Sequence, residues 1–363
     1  MTKVQKKYNF ILGIDTSCDD TSVGITYRTS VLANAISSQI ELHRKYGGVV
    51  PGLARRLHAE RIDFVISEAF RLASRNYGKK ITWQEIDAIA VTYGPGLAIA
   101  LEIGIAKAKE LAQTYQKPLI AVNHMEGHLL SSLAANSKGK AQITLAANDF
   151  PILGVLISGK HTELVLMHDF GKYELLGETL DDAIGEAYDK VARMLGLGYP
   201  GGAIVTELAK KGNKYQYQLP IPMAKHDSLD FSYSGLKTAV YYLIKKMTEQ
   251  GKDLNKKRIL DLSAGFEYSA IRELQIKVEQ ALSKHAVRFV FVGGGVTGSA
   301  KVRAGIRKIT KKFHLPTYFP FDKKLYQDNG AMIAVAGYFK AQRGQFADFS
   351  LDRNPRAALK SEA

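Results

Sequence analysis

Asn9-Phe10-Ile11-Leu12-Gly13-Ile14-Asp15-Thr16-Ser17-Cys18-Asp19-Asp20-Thr21-Ser22-Val23-Gly24-Ile25-Thr26-Tyr27 reads as a β-hairpin. Asn9 to Asp15 is rich in β-formers, Thr16 to Thr21 turns, and Ser22 to Tyr27 runs back. The tip is crowded with hydroxyls and carboxylates. Such a tip suits a phosphate or a metal-bound water, and it also serves as an ordinary polar turn. The same design recurs downstream. Ile152 to Ile157 is an apolar strand, Ser158-Gly159-Lys160-His161-Thr162 a small hydroxyl-bearing turn, and Glu163 to Met167 the return strand. One theme used twice predicts two related lobes with a ligand between them. The segments around them alternate between strand-like and helical, which predicts the α/β class.

Working outward, Val31 to Gln39 reads as a third strand and Leu53 to Arg75 as a helix with Arg55, Arg56, His58 and Arg61 near one side. That side is a phosphate-binding face or a solvated one. Ile86 to Val91 is a buried-strand run leading through Gly94-Pro95-Gly96 into a helix from Leu97 to Tyr115. Pro118 to Val122 is a strand that delivers His124-Met125-Glu126-Gly127-His128, the start of a helix. Two histidines four apart share a helix face, within reach of one cation; alone, such a pair is as often surface chemistry. Asp328, opening another apolar helix, supplies a third candidate ligand. Two histidines and one carboxylate leave coordination positions open, as a catalytic metal site does.

Residues 135–150 lack periodicity and read as the link between lobes, placing the first lobe at 1–140 and the second at 150–327. The helix over about 328–345 completes the first lobe, and 346–363 reads as a flexible tail. In the second lobe Asp181 and Asp182 suit a helix start, Asp189 lies deeper in that helix, and Gly196 to Gly202 is a glycine cluster. Ser234 is read as an N-cap. Helical pattern resumes from Leu254 to His285, a strand from Phe289 to Val292 ends in Gly293-Gly294-Gly295, and a basic helix with Arg303, Arg307, Lys308, Lys311 and Lys312 follows.

The 363 residues, 46% of them hydrophobic, are ample for a core. The formal charge of +15 favours a polyanionic partner, most simply a nucleic acid. A single cysteine, Cys18, excludes an intramolecular disulfide and a cysteine-based zinc site. The basic N-terminus lacks the apolar core of a signal peptide, and no run has transmembrane length, so a cytoplasmic protein is expected.

Taken together, these motifs resemble the tRNA N6-adenosine threonylcarbamoyltransferases, the TsaD family. The resemblance runs from about Ile11 to Tyr338 and includes Gly13 to Thr21, Tyr46 to Pro51, Gly94 to Leu97, His124 to His128, Ser158 to Leu164, Gly185 to Lys190, Tyr199 to Gly202, Phe231 to Thr238, Gly293 to Val296 and Asp328 to Ala334. It implies the actin-like ATPase (ASKHA) fold, two similar lobes each built on a five-stranded sheet, with the active site in a central cleft. It implies transfer of a threonylcarbamoyl group from threonylcarbamoyl-adenylate to N6 of the adenosine beside the anticodon, giving t6A, in tRNAs that read codons starting with adenine. By the same resemblance His124, His128 and Asp328 hold Fe(2+), or zinc, and Asp19 and Asp20 form the catalytic acidic tip. Leu156, Ile157, Ser158, Gly159 and Lys160 cradle the adenylate, an ATP-type nucleotide ligand. Asp189 and Gly202 meet its ribose; Gly294, Gly295 and Ser299 meet its adenine. The implied partners, for a bacterial chain, are a TsaB-like paralogue, docked through first-lobe helices, and a TsaE-like ATPase, with a separate synthase making the adenylate.

Four positions depart from the family pattern. Lys160 stands where glycine is usual, Ser299 for asparagine, Gly52 for glutamate and Asp20 for glutamate. A lysine at a position requiring positive φ would cost roughly 1 kcal/mol or more. Three rivals were weighed. A zinc peptidase needs glutamate directly after the first histidine, where this chain has Met125. A small-molecule kinase of the same fold holds Mg2+ through carboxylates and needs no histidine pair. A nucleotide-binding scaffold in a tRNA-modification complex would not need an intact ligand trio.

Overall fold

A computed structural model describes residues 7–360. The expectation that the basic N-terminus is no signal peptide falls largely on Met1 to Lys6, outside the described residues.

The opening hairpin forms as read. β1 (Phe10–Asp15) pairs antiparallel with β2 (Asp20–Tyr27), Asp15 facing Ser22 beside the turn, and β3 (Ser30–Ser38) pairs antiparallel with β2. Then come α1 (Ile40–Arg44) and α2 (Pro51–Tyr77). Proline near the start of α2 gives up an amide that had no helical partner, and Gly78 closes the helix in the left-handed conformation (φ 81°) with its N–H on Ser74 O. β4 (Ala88–Gly94), α3 (Ala98–Thr114), β5 (Leu119–Asn123) and α4 (His124–Leu130) follow. β4 runs parallel to β1 and to β5, so the sheet order is β3-β2-β1-β4-β5.

The second half repeats this plan. β6 (Ile152–Ile157), β7 (Thr162–Asp169) and β8 (Lys172–Glu178) form an antiparallel meander. The helices α5 (Ile184–Met194), α6 (Gly201–Ala209), α7 (Ser234–Glu249) and α8 (Lys256–Lys284) precede β9 (Phe289–Gly293). Next are α9 (Ala300–Lys312), β10 (Thr317–Tyr318) and α10 (Gly330–Gln342). β9 is parallel to β6 and β10 parallel to β9, so this sheet is ordered β8-β7-β6-β9-β10, strand for strand the plan of the first.

The chain divides into two compact units. One comprises the chain up to His43, Val49–Ala146 and everything from Phe319 on; the other comprises Arg44–Gly48 and Ala147–Tyr318. In the first unit α2 and α3 pack on one set of strands and bury Ile62, Ile66, Leu101 and Ile105 against Ile14, Val23 and Val91. α10 packs on β1 and β2. It approaches so closely that a Cβ on Gly24 would overlap the backbone of Ala331, and one on Gly13 the backbone of Gly330. Only glycine permits this seating, which fixes where the residues just before α10 lie.

The structure corrects several expectations. The glycine cluster ends in a helix, α6, because Asp189 Oδ1 accepts from the amides of Gly201 and Gly202 at 2.7 and 3.2 Å. Ser234 is the first residue of α7 and not its N-cap; Asp181 Oδ1 instead accepts from the amides of Tyr233 and Ser234. The basic side read on α2 is only partly a surface feature: Arg55 and Arg56 are exposed, as the solvated alternative has it, but the other two members turn to the protein. His58 is fully buried, Arg61 donates to Ser38 O, and Arg56 pairs with Glu60. The described part of the expected flexible tail, 346–360, is packed. Ala347 bonds Leu119, Asn354 N donates to Tyr93 O, Gly96 N donates to Pro355 O, and Ala357 and Leu359 are buried. The remainder, 361–363, lies outside the described residues.

Candidate metal centre and nucleotide cradle

Asn123 ends β5 and caps α4 by accepting from the amides of Met125 and Glu126. This turns both histidines of the first helical turns inward, where they are buried. Asn329 caps α10 in the same way through Met332 N, leaving Asp328 just outside that helix. Asp328 Oδ1 lies 3.3 Å from His124 Nε2 and 3.2 Å from His128 Nε2. Donors around one ion at about 2.1 Å stand about 3.0–3.4 Å apart, so the trio has the spacing of a ligand set. The three ligand atoms all fall within 4.8 Å of one another.

Electrostatics support the same conclusion. Burial works against charge on His124, yet Asp328 and Asp15 outweigh it and push its pKa up to about 10. Burial, with the neighbouring His124, holds His128 below its ordinary value. Asp328 is held well below the carboxylate range by the two histidines in spite of its burial. Burial pushes Asp20 up to about 7, with the carboxylates of Asp19, Asp328 and Asp15 acting in the same direction. A positive charge is thus favoured among these acids, and the donor set fits a transition metal.

Asp15 was missed in the sequence. It is fully buried, lies 3.5 Å from His124 Nδ1 and accepts from Ser17 N. It stands on the far side of the His124 ring from Asp328, where the carboxylate partner of a metal-ligating histidine would stand. Glu126, by contrast, faces Lys340 at 3.5 Å and Arg343 at 3.9 Å, so it braces α4 against α10 and has no place as a water-activating base.

In the other unit the β6–β7 turn is closed by Ser158 N donating to His161 O, while Ser158 Oγ accepts from the amides of Lys160 and His161. Lys160 is not among the residues of positive φ, so it carries no left-handed strain. Gly294 (φ 96°) lies so near Ile157 that a Cβ there would overlap its carbonyl, and Gly185 at the start of α5 abuts Ser158 and Gly159 in the same way. α5 also packs on the short helical turn Gly295–Gly298. Leu156 to Lys160, Gly294 and Gly295 thus converge on one end of the sheet, around bare backbone. Asp189 and Gly202 are joined by their own hydrogen bond one helical step away. Ser299 caps α9 through Val302 N at 3.4 Å, so the shorter side chain keeps the capping role an asparagine would have.

Two five-stranded sheets of one plan, one of them beside a two-histidine, one-carboxylate cluster, define a protein of the actin-like ATPase class with a candidate metal site. Solved structures of that fold match: HypF of T. kodakarensis (TM-score 0.57, 15% identity, 95% of this chain and 49% of that one) and the Acidaminococcus fermentans (R)-2-hydroxyglutaryl-CoA dehydratase component A (0.50, 14%, 92% and 99%). At these identities they show the fold alone. The family model described as tRNA N6-adenosine threonylcarbamoyltransferase matches residues 30–335. Curated relatives of that name are 43% identical over 349 residues in Thermodesulfovibrio yellowstonii (96% of this chain, 99% of the relative) and 41% over 350 residues in Dictyoglomus turgidum (96% and 98%). The chain belongs to the tRNA N6-adenosine threonylcarbamoyltransferase family.

Proposed function

We propose that this chain performs its family's reaction: it moves the threonylcarbamoyl group of threonylcarbamoyl-adenylate to N6 of the adenosine beside the anticodon, forming t6A in tRNAs that read codons starting with adenine. The observation that carries this reading is the convergence of His124 and His128 on one Asp328 oxygen in a chain of this family.

His124, His128 and Asp328 would hold the metal, and two histidines with one carboxylate form the donor set of non-haem iron, which zinc also accepts. When bound, the metal supplies Lewis acidity to the carbamoyl carbonyl. Asp15, 3.5 Å from His124 Nδ1, would orient that ring for ligation. As N6 bonds to the carbonyl carbon, the bond from that carbon to the phosphate oxygen breaks and AMP departs. Asp19 and Asp20 are the carboxylates suited to take the proton N6 gives up. The Leu156–Lys160 turn and the Gly294–Gly295 backbone would receive the adenylate, with Asp189 and Gly202 on the ribose and Ser299 toward the base. Lys160, exposed and unstrained, adds a cation for the phosphate where the family usually has glycine.

The +15 charge suits tRNA. Among the described residues no helix is long and apolar enough to cross a membrane, and the cytoplasm is the location that fits the proposed reaction. A TsaB-like paralogue and a TsaE-like ATPase are the proposed partners. Phe64, 72% exposed on α2, is an apolar anchor suited to a partner there; gel filtration with the paralogue showing no complex would count against it. The test of the reaction is direct. Protein and partners receive preformed threonylcarbamoyl-adenylate and unmodified tRNA, and digested nucleosides are weighed. The t6A mass is expected; a donor hydrolysed with no modified adenosine would overturn the reading.

A further inference from the structure

The unit formed by Arg44–Gly48 and 147–318 contains a cavity of about 590 Å³, within the roughly 300–1,000 Å³ range of small-ligand seats. Of the residues given to the adenylate, only Asp189 lines it; the Leu156–Lys160 turn, Gly294, Gly295 and Ser299 do not. Two of its polar lining groups are cationic and held in place. Arg44 Nε donates to Tyr199 O at 3.1 Å, and Arg193 Nη2 donates to Gly47 O at 3.1 Å. Both guanidinium groups are thus anchored to backbone carbonyls, and anchored guanidinium groups are pre-organised for phosphate oxygens. The lining also includes the apolar Leu197 and Ile204 and the ring of Tyr199. Tyr46 also lines it, a ring 67% exposed to water in a loop where Lys45 adds further positive charge. An exposed ring beside two fixed arginines matches an unstacked base and its phosphate.

We infer that this cavity seats a nucleotide of the tRNA anticodon loop next to the target adenosine, with its base on Tyr46 and its phosphate on Arg44 and Arg193. The inference rests on the tRNA-acylating reading above and deepens it. Because the cavity meets the adenylate residues only at Asp189, the loop nucleotide and the donor would be neighbours and not competitors. A free nucleotide offers the same chemistry as a loop nucleotide, so the test must separate them.

The probe is a fluorescein-labelled anticodon stem–loop RNA, titrated by anisotropy into the full chain without donor, so that binding is read independently of transfer. Arg193→Ala and Tyr46→Ala are each expected to weaken binding about tenfold, while Tyr46→Phe binds as wild type. In Arg193→Ala the slope of log affinity against log salt is expected to fall by about 0.7, the value for one lost single-strand phosphate contact. AMP at concentrations that saturate the donor site is expected to leave stem–loop binding intact, and the donor KM is expected to be unchanged in both alanine variants. The Tyr46→Ala melt is expected to equal that of wild type, since this ring is exposed, while Arg193→Ala gives up one exposed hydrogen bond to Gly47 O. The inference is overturned if both alanine variants bind the stem–loop as wild type does. It is equally overturned if AMP displaces the RNA or the variants raise the donor KM, for the cavity is then part of the adenylate seat. Loss of t6A formation in a wild type that still binds the stem–loop through Tyr46 and Arg193 would strike the reaction reading and leave this one standing.

Discussion

Asp15 shows what a motif search overlooks. His124, His128 and Asp328 were legible because helical spacing and an acid opening an apolar helix are local signals. Asp15 ends an apolar strand, and nothing local tells that its carboxylate meets a ring from α4; only the parallel alignment of β1 and β4, with β5 beyond, brings them together. Asp15→Asn is expected to weaken metal retention about 10- to 100-fold, measured against a competing chelator, with an apoprotein melt near wild type. Unchanged retention would reduce Asp15 to a structural role in the hairpin. At Lys160 the sequence raised a concern that the backbone removes. Lys160→Gly relieves no strain and adds freedom to the unfolded chain, so it is expected to lower stability by about 0.4–1 kcal/mol in a denaturant titration. A gain in stability would contradict this.

Elements with their own periodicity, the two hairpins and the long helices, were readable from the chain. Those started or held by distant groups were not. α6 opens on two glycines, poor helix formers, and exists because a carboxylate from α5 takes up both amides. β10 is two residues long, and β8 is a polar edge strand, so neither carries a pattern to detect. The tail seemed too polar to pack, but its hold is mostly backbone: beyond the Leu119 and Tyr93 bonds, Asn123 Nδ2 donates to Ala357 O and Ala358 O at 3.3 Å. Since Asn123 also caps α4, deleting residues 346–363 is expected to cost about 2–4 kcal/mol, seen as a lower melting temperature, and to loosen metal retention. A truncated chain that melts with the wild type would refute this coupling. Gly294→Ala, which forces both an unfavourable φ and an overlap with Ile157, is expected to destabilise by about 2–4 kcal/mol in a thermal melt.

At the scale of the molecule, the repeated hairpin was enough to anticipate two units with sheets of one plan. It could not reveal that Arg44–Gly48 belongs with the second unit, because the hydrogen bonds from Arg44 to Tyr199 and from Arg193 to Gly47 join residues about 150 positions apart and leave no local pattern. Global stability should carry the mark of Glu273, fully buried on α8. Burial pushes its carboxyl up to about 8, although the Ser232 amide and Lys277 pull it down. The unfolded chain ionises this group near pH 4.5 while the folded chain keeps its proton. Stability therefore falls as pH rises between about 4.5 and 8, and the loss is complete above that window. Glu273→Gln keeps the acceptor for Ser232 N and removes the charge. It is expected to melt with wild type near pH 4.5 and to exceed it by on the order of 3 kcal/mol at pH 8; parallel pH profiles would contradict the assignment. The most direct test of the central claim reads two quantities from one preparation: metal bound per chain and t6A formed in a single turnover from preformed threonylcarbamoyl-adenylate. Wild type is expected to give product in proportion to bound metal, and Asp328→Ala to lose both together while its fold persists. An Asp328→Ala chain that sheds its metal yet forms t6A at the wild-type rate would contradict the account.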